Sequence, residues 1–153
     1  MELQAGIIGL GILGGQHTRF LHEQAEIEVA AVADIRQTQA DAFGAEVDAK
    51  PYTDYRAMLR ENELDIVVVA TPDPLHKEPV LMAIEAGVPN VIQEKPMATT
   101  VADAEAMLNA AEQAGARIFV NYANRGSAFD RATYRTIRDG LLGTVVYGEV
   151  HLD

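Results

Sequence analysis

The chain has 153 residues, a formal charge of −11 at pH 7, 48% apolar residues and no cysteine. That length and composition fit one globular domain with a real core, and exclude disorder, disulfides, thiolate catalysis and cysteine-bound zinc. The acidity argues against nucleic acid and anionic membrane surfaces as partners. The apolar runs are of strand length, too short to span a bilayer. Met1 to Gln4 lacks a basic, then apolar, leader pattern, so a cytoplasmic location is expected.

In chain order, Leu3 to Leu10 (LQAGIIGL) reads as a first strand, and a helix is expected from about Ile12 to Gln24. Ile27 to Asp34 (IEVAAVAD) is the second strand. Arg36 to Phe43 suits a helix with Gly44 at its C-terminal end, followed by a short third strand near Glu46 and Val47. Asp54 to Arg60 is a short helix, and Asp65 to Ala70 (DIVVVA) is a strand apolar on both faces. Glu78 to Ala86 is helical, closed by Gly87, and Asn90 to Gln93 is a strand. Val101 to Ala114 is a helix with Val101, Ala104, Met107, Leu108 and Ala111 on one stripe. Thr100 and Asp103 suit its capping box, and Gly115 suits its C′ position. Arg117 to Tyr122 is the last strand of the run, and Phe129 to Leu141 a final helix.

Alternating strands and helices give an α/β fold, a parallel sheet covered on both faces. Right-handed crossovers lead to the doubly wound Rossmann order 3-2-1-4-5-6. Ligands then lie beyond the strand C-terminal ends, which here carry Gly9, Asp34, Thr71, Glu94, Lys95 and Asn121.

The first of those ends carries a fingerprint. Gly9, Leu10, Gly11, Ile12, Leu13 and Gly14 spell G-x-G-x-x-G between a strand and a helix, and Asp34 follows Gly14 by 20 residues. In that context the glycines serve a tight turn, a close approach of backbone to a pyrophosphate, and close helix–sheet packing. The helix N-terminus offers free N–H groups and partial positive charge to the phosphates. Asp34 can accept from the adenosine ribose hydroxyls and would repel a 2′-phosphate, which favours NAD. Arg36 keeps NADP open as the alternative, since a nearby arginine accommodates a 2′-phosphate. No His, Asp and Glu spacing resembles a metal site.

Two further motifs follow strands: Thr71-Pro72-Asp73-Pro74-Leu75-His76 and Glu94-Lys95-Pro96. Together with the glycine fingerprint they resemble the glucose–fructose oxidoreductase and inositol dehydrogenase family (Gfo/Idh/MocA), over about Ala5 to Val150. The resemblance implies an NAD(P)-dependent oxidoreductase acting on the CH–OH group of a sugar, cyclitol or related polyol. It implies that Thr71 and Pro72 line the ribose and pyrophosphate region, that Glu94 and Lys95 sit near the nicotinamide, and that Lys95 is catalytic. His76 is expected to pack near the cofactor without transferring protons, while Asn121 and Arg125 match the family's last Rossmann strand and its arginine. The Lys95–Pro96 bond is a candidate cis peptide. On chemistry alone, a lysine at a strand end beside a cofactor pocket can orient a hydroxyl and stabilise developing negative charge. His17 and His22 read as surface or packing residues of the first helix.

The resemblance also implies a division of the chain. Residues 1–142 are expected to be the NAD(P)-binding Rossmann domain. Residues 143–153 are expected to be the first strand of a truncated C-terminal α+β domain for substrate and oligomerisation. Val146, Gly148, Val150 and Leu152 alternate there with Tyr147, Glu149, His151 and Asp153. An unpaired strand of this kind invites exchange between copies, so a homo-oligomer is an open expectation. The competing expectation is a stand-alone, non-catalytic NAD-binding module that senses NAD or works with a partner chain.

Overall fold

A computed structural model describes residues 2–149. It divides into two compact units, one ending at Asn121 and the other beginning at Tyr122.

The first unit is a doubly wound α/β sheet. Six parallel strands lie in the order β3-β2-β1-β4-β5-β6. They are β1 (Leu3–Ile8), β2 (Ile27–Ala33), β3 (Lys50–Tyr52), β4 (Ile66–Val69), β5 (Asn90–Glu94) and β6 (Arg117–Asn121). The connecting helices are α1 (Ile12–His22), α2 (Gln37–Val47), α3 (Tyr55–Glu61), α4 (Lys77–Glu85) and α5 (Val101–Ala114).

Side-chain alternation along the strands splits the core in two. Ile7, Val32 and Val68 face Leu21, Phe43 and Val47 of α1 and α2. Val67, Val69 and Val91 face Met58, Val80, Ala83, Met107 and Ala111 of α3, α4 and α5. The central strands are buried on both sides, as parallel sheets require, and each fully buried valine contributes about 1.5–3 kcal/mol of transfer free energy. This alternation later decides which way each residue at a strand end points.

Most elements fall where the sequence places them, and the departures have local causes. The second helix runs past Gly44 and closes at Asp48, whose φ of 55° is the left-handed capping conformation. Gly44 is a packing position instead: a Cβ there would lie 2.8 Å from the Ala49 carbonyl oxygen. Glu46 and Val47 are therefore the helix's last turn, and the third strand is Lys50–Tyr52. Pro51 lies at the sheet edge, where a missing N–H costs no ladder bond. The α5 limits agree with the expectation, as do the Thr100 cap on the Asp103 N–H and the left-handed Gly115. Its buried face is narrower than the expected stripe: Met107 and Ala111 are buried, whereas Val101 and Leu108 are exposed.

The second unit holds a 3-10 turn at Ala123–Gly126 and a helix, α6 (Ala128–Arg138), capped by the Ser127 hydroxyl on the Asp130 N–H. The helix ends at Arg138, short of Leu141, because Gly140 takes a left-handed conformation at φ 72°. The extra C-terminal strand does not form over residues 144–149, since no other strand lies among the described residues of this unit to pair with it. Residues 150–153, the rest of that expected strand, lie outside the described residues.

Candidate dinucleotide site at the C-terminal edge of the sheet

The glycine loop follows β1 at the centre of the sheet, and its three glycines meet different constraints. Gly9 has φ +89°, and a Cβ on it would sit 2.8 Å from the Ala70 carbonyl oxygen at the end of β4. Gly14, in the first turn of α1, would place a Cβ 1.8 Å from the Gly9 carbonyl oxygen. Those two glycines are demanded by the fold itself. Gly11 is different: nothing lies within 4 Å of its Cβ position, and its backbone is ordinary extended chain. It is the N-cap of α1 and makes no side-chain cap bond. The open space at this helix start is the cradle a pyrophosphate would fill, so the residues present fit a dinucleotide.

Asp34 joins the loop to the end of β2. Its Oδ2 accepts from the Leu10 N–H at 2.9 Å, and its Oδ1 accepts from the Arg36 N–H at 2.9 Å. The Arg36 guanidinium also lies along the carboxylate, with Nε 2.9 Å from Oδ1 and Nη2 3.2 Å from Oδ2. Burial pushes the Asp34 carboxyl up, but the hydrogen bonds from Arg36 and Leu10 outweigh it and hold the group below the usual aspartate range. Gln39 Nε2 donates to the Leu10 carbonyl at 2.8 Å, so both polar groups of the Leu10 backbone are tied down. A cavity of about 420 Å³ opens beside this loop, lined by Gly11, Ile12, Gln16, Arg19, Arg36 and Gln39 among others. Ile12 and Leu13 are exposed apolar side chains at its rim helix.

The next strand end carries Thr71, whose Oγ1 donates to the Leu75 carbonyl at 3.1 Å and closes a 3-10 turn over Asp73–Leu75. Pro72 is exposed at the start of that turn. His76 is fully buried. Its Nε2 lies 2.8 Å from the Thr71 carbonyl oxygen and its Nδ1 2.9 Å from that of Pro96. Its polar atoms are thus spent inside the protein, on the two loops that follow β4 and β5.

At the end of β5, alternation separates two neighbours. Glu94 continues the Ile92 face, toward α1 and α2, while Gln93 continues the Val91 face, toward α4 and α5. Glu94 is buried and pairs in the sheet with Asn121 of β6. Its Oε1 accepts from Asn121 Nδ2 at 2.7 Å and meets His17 Nε2 at 2.8 Å. Burial raises the Glu94 carboxyl, yet the bonds from Asn121 and His17 prevail and hold it below the usual glutamate range. Lys95 is exposed and, among the described residues, has no carboxylate within ion-pair distance, unlike Lys50 and Lys77. The Lys95–Pro96 peptide is cis.

The sheet edge therefore gathers Gly11, Asp34, Thr71, Glu94, Lys95 and Asn121. Arg125 lies in the 3-10 turn of the second unit and is exposed. The expectation for His17 is a surface or packing residue; instead it holds Glu94 from α1, a pairing across 77 residues that no local pattern announces. Gln39 and Gln93 are also engaged here without any signal in the sequence. Among the described residues no group of three or more His, Asp and Glu side chains can hold a metal, and no helix is long and apolar enough to cross a membrane.

The strand order, the Gly11 cradle and the Asp34 anchor define a dinucleotide-binding Rossmann unit. Residues 3–122 match the model of the Gfo/Idh/MocA oxidoreductase family, NAD-binding Rossmann fold, and the chain belongs to that family. It is 35% identical to D-apiose dehydrogenase of Paraburkholderia graminis, over 97% of this chain and 40% of that protein. It is 37% identical to inositol 2-dehydrogenase of Paracoccus denitrificans, over 77% of this chain and 36% of that protein. The crystal structure of myo-inositol 2-dehydrogenase from Lactobacillus plantarum superposes with a TM-score of 0.89 at 25% identity, covering 96% of this chain and 44% of that one. The WlbA dehydrogenase from Bordetella pertussis, crystallised with NADH and UDP-GlcNAcA, gives 0.86 at 29% identity, covering 94% and 44%. The chain thus spans about two-fifths of the length of these relatives.

Proposed function

We propose that this chain is the cofactor-binding part of a dehydrogenase that oxidises a secondary alcohol of a sugar or cyclitol. The observation that carries the reading is the exposed Lys95 side chain, without an ion-pair partner among the described residues, on the same sheet edge as the Gly11 cradle. Similarity to D-apiose and inositol dehydrogenases supports the substrate class.

In this reading the α1 N-terminus and Gly11 receive the pyrophosphate, and Asp34 receives the adenosine ribose. Asp34 favours NAD, because a 2′-phosphate would meet its carboxylate. Thr71 and Pro72 border the ribose and pyrophosphate path, while Asn121 and His17 fix Glu94 at the nicotinamide end. Bound NAD supplies the hydride acceptor. Lys95, as its neutral amine, would orient the substrate hydroxyl and take up its proton, so the alcohol gives a proton to the lysine and a hydride to the cofactor. Glu94 is engaged by Asn121 and His17, so Lys95 meets the substrate without being half of an ion pair with Glu94. Arg125 is assigned to the same cofactor, from the family resemblance.

The test is calorimetric titration of the chain with NAD and NADP, joined to an activity panel of inositols and aldoses on the whole-length protein. Tighter binding of NAD and reduction of it by at least one polyol are expected. Binding of neither dinucleotide would overturn the cofactor assignment, and absence of hydride transfer from every polyol would overturn the substrate class.

A further inference from the structure

The loop that carries Lys95 is irregular from Lys95 to Thr100, so its backbone carbonyls need partners from elsewhere. Two buried side chains supply them. Gln93, with no exposed surface, directs Nε2 at the Met97 carbonyl at 2.7 Å, with the Glu94 and Pro96 carbonyls at 3.3 and 3.4 Å. His76, equally buried, meets the Pro96 carbonyl with Nδ1 and the Thr71 carbonyl with Nε2. Four carbonyls from the two loops at the strand ends thus converge on two side chains.

The Gln93 carboxamide carries a cost. Its Oε1 is buried without a partner. Turning the amide over would not help, because it would aim the oxygen at three carbonyls. A buried acceptor left unmade is destabilising, although an apolar side chain would in turn leave the Met97 carbonyl without this donor. What the glutamine supplies in return for that orphaned oxygen is the donor that holds the following loop.

We propose that Gln93 is a positioning residue, which with His76 fixes the Lys95 loop against the nicotinamide end of the cofactor. The proposal rests on the reading above that places Lys95 at that end. The Gln93 carboxamide holds the carbonyls on both sides of Lys95, those of Glu94, Pro96 and Met97. It touches neither cofactor nor substrate.

The experiment compares NADH with ADP-ribose, which lacks the nicotinamide, for the wild type and Gln93→Met. Methionine keeps the volume and removes both the donor and the orphaned acceptor. ADP-ribose affinity is expected to stay within about twofold, while NADH binding weakens about five- to tenfold. The melting temperature is expected to change little, because removal of the orphaned acceptor offsets part of the lost donor; the split between NADH and ADP-ribose is what a merely structural bond would not produce. Lys95→Ala should remove the same NADH advantage, and Gln93→Met on that background should add nothing further, because the glutamine acts through the lysine. Equal weakening of NADH and ADP-ribose, or an intact NADH advantage in Gln93→Met, overturns the role of Gln93 alone. A wild type with no preference for NADH over ADP-ribose overturns the placement of Lys95 and the inference with it. Should Gln93→Met fail to fold, Gln93→Glu serves instead: its carboxylate faces the same carbonyls and should lose the NADH advantage too, and retention of it would refute the proposal.

Discussion

Replacing Gly11 with alanine should leave the protein folded and spoil its cofactor site, while the same change at Gly14 should destabilise the fold itself. A Cβ at residue 11 meets no atom within 4 Å, and the backbone, at φ −70° and ψ −161°, is open to any residue. Two small effects then oppose each other: stiffening the unfolded chain favours alanine by roughly 0.4–1 kcal/mol, and its weakness as an N-cap costs about 0.5–1 kcal/mol. The melting temperature should therefore shift by no more than about 4 °C. In the complex the added methyl would occupy the space of the pyrophosphate, and overpacking of a tight contact costs about 1–3 kcal/mol. That corresponds to an NAD affinity roughly 5- to 150-fold weaker. At residue 14 the Cβ would lie 1.8 Å from the Gly9 carbonyl, a backbone atom that cannot swing aside. The start of α1 would have to retreat from β1, and a loss of about 3 kcal/mol or more is expected. Thermal melts without ligand and calorimetric NAD titrations read the two effects separately. A Gly11→Ala protein that binds NAD like the wild type, or a Gly14→Ala protein that melts like it, would refute this division of labour.

Asp34→Ala should weaken NAD more than NADP, since it removes the proposed ribose acceptor and frees Arg36 from its ion pair; equal losses in titration would count against the ribose role. Asp34 and Glu94 are both held below their ordinary range, so the unfolded chain binds more protons than the folded one in acid. Their stabilisation is complete above the unfolded carboxyl range and is lost as pH falls through the lower folded values. Melting temperature should therefore drop below about pH 4.5, and less steeply in Glu94→Gln; an equal slope would show Glu94 to be uninvolved. His17→Ala leaves Glu94 with Asn121 as its remaining side-chain donor and should cost about 1.5 kcal/mol, seen in chemical denaturation. Lys95→Ala should keep NAD affinity within about tenfold and abolish hydride transfer in the whole-length enzyme; surviving turnover would make the lysine structural.

The features that sequence reveals here are those fixed by local backbone demands. Gly9 and Gly14 are written into the turn and the helix start, and Thr100 and Gly115 mark both ends of α5 by their own capping chemistry. The placement of Asp34 and Lys95 just past strand ends is legible from the strand pattern, and strand ends in this topology face the ligand. What could not be read depends on tertiary contact. Gly44 looks like a helix stop but serves as a flat spot against Ala49, so α2 runs longer and β3 starts later than its composition suggests. His17 has the spacing of a surface residue, and only the register of β5 beside β6 brings Glu94 within its reach. Gln93 reads as one more strand residue until the carbonyls after it are counted.

The two bonds on Leu10 have a thermodynamic consequence. The amide of that residue is held by Asp34 and its carbonyl by Gln39, from two different elements. The glycine loop thus reaches its working shape before any dinucleotide arrives. Little chain entropy remains to be lost there on binding, so the free energy of phosphate contact goes into affinity and not into ordering. Cutting the Gln39 tether should then slow nothing in the fold, yet make NAD capture more entropically costly at an unchanged set of contacts.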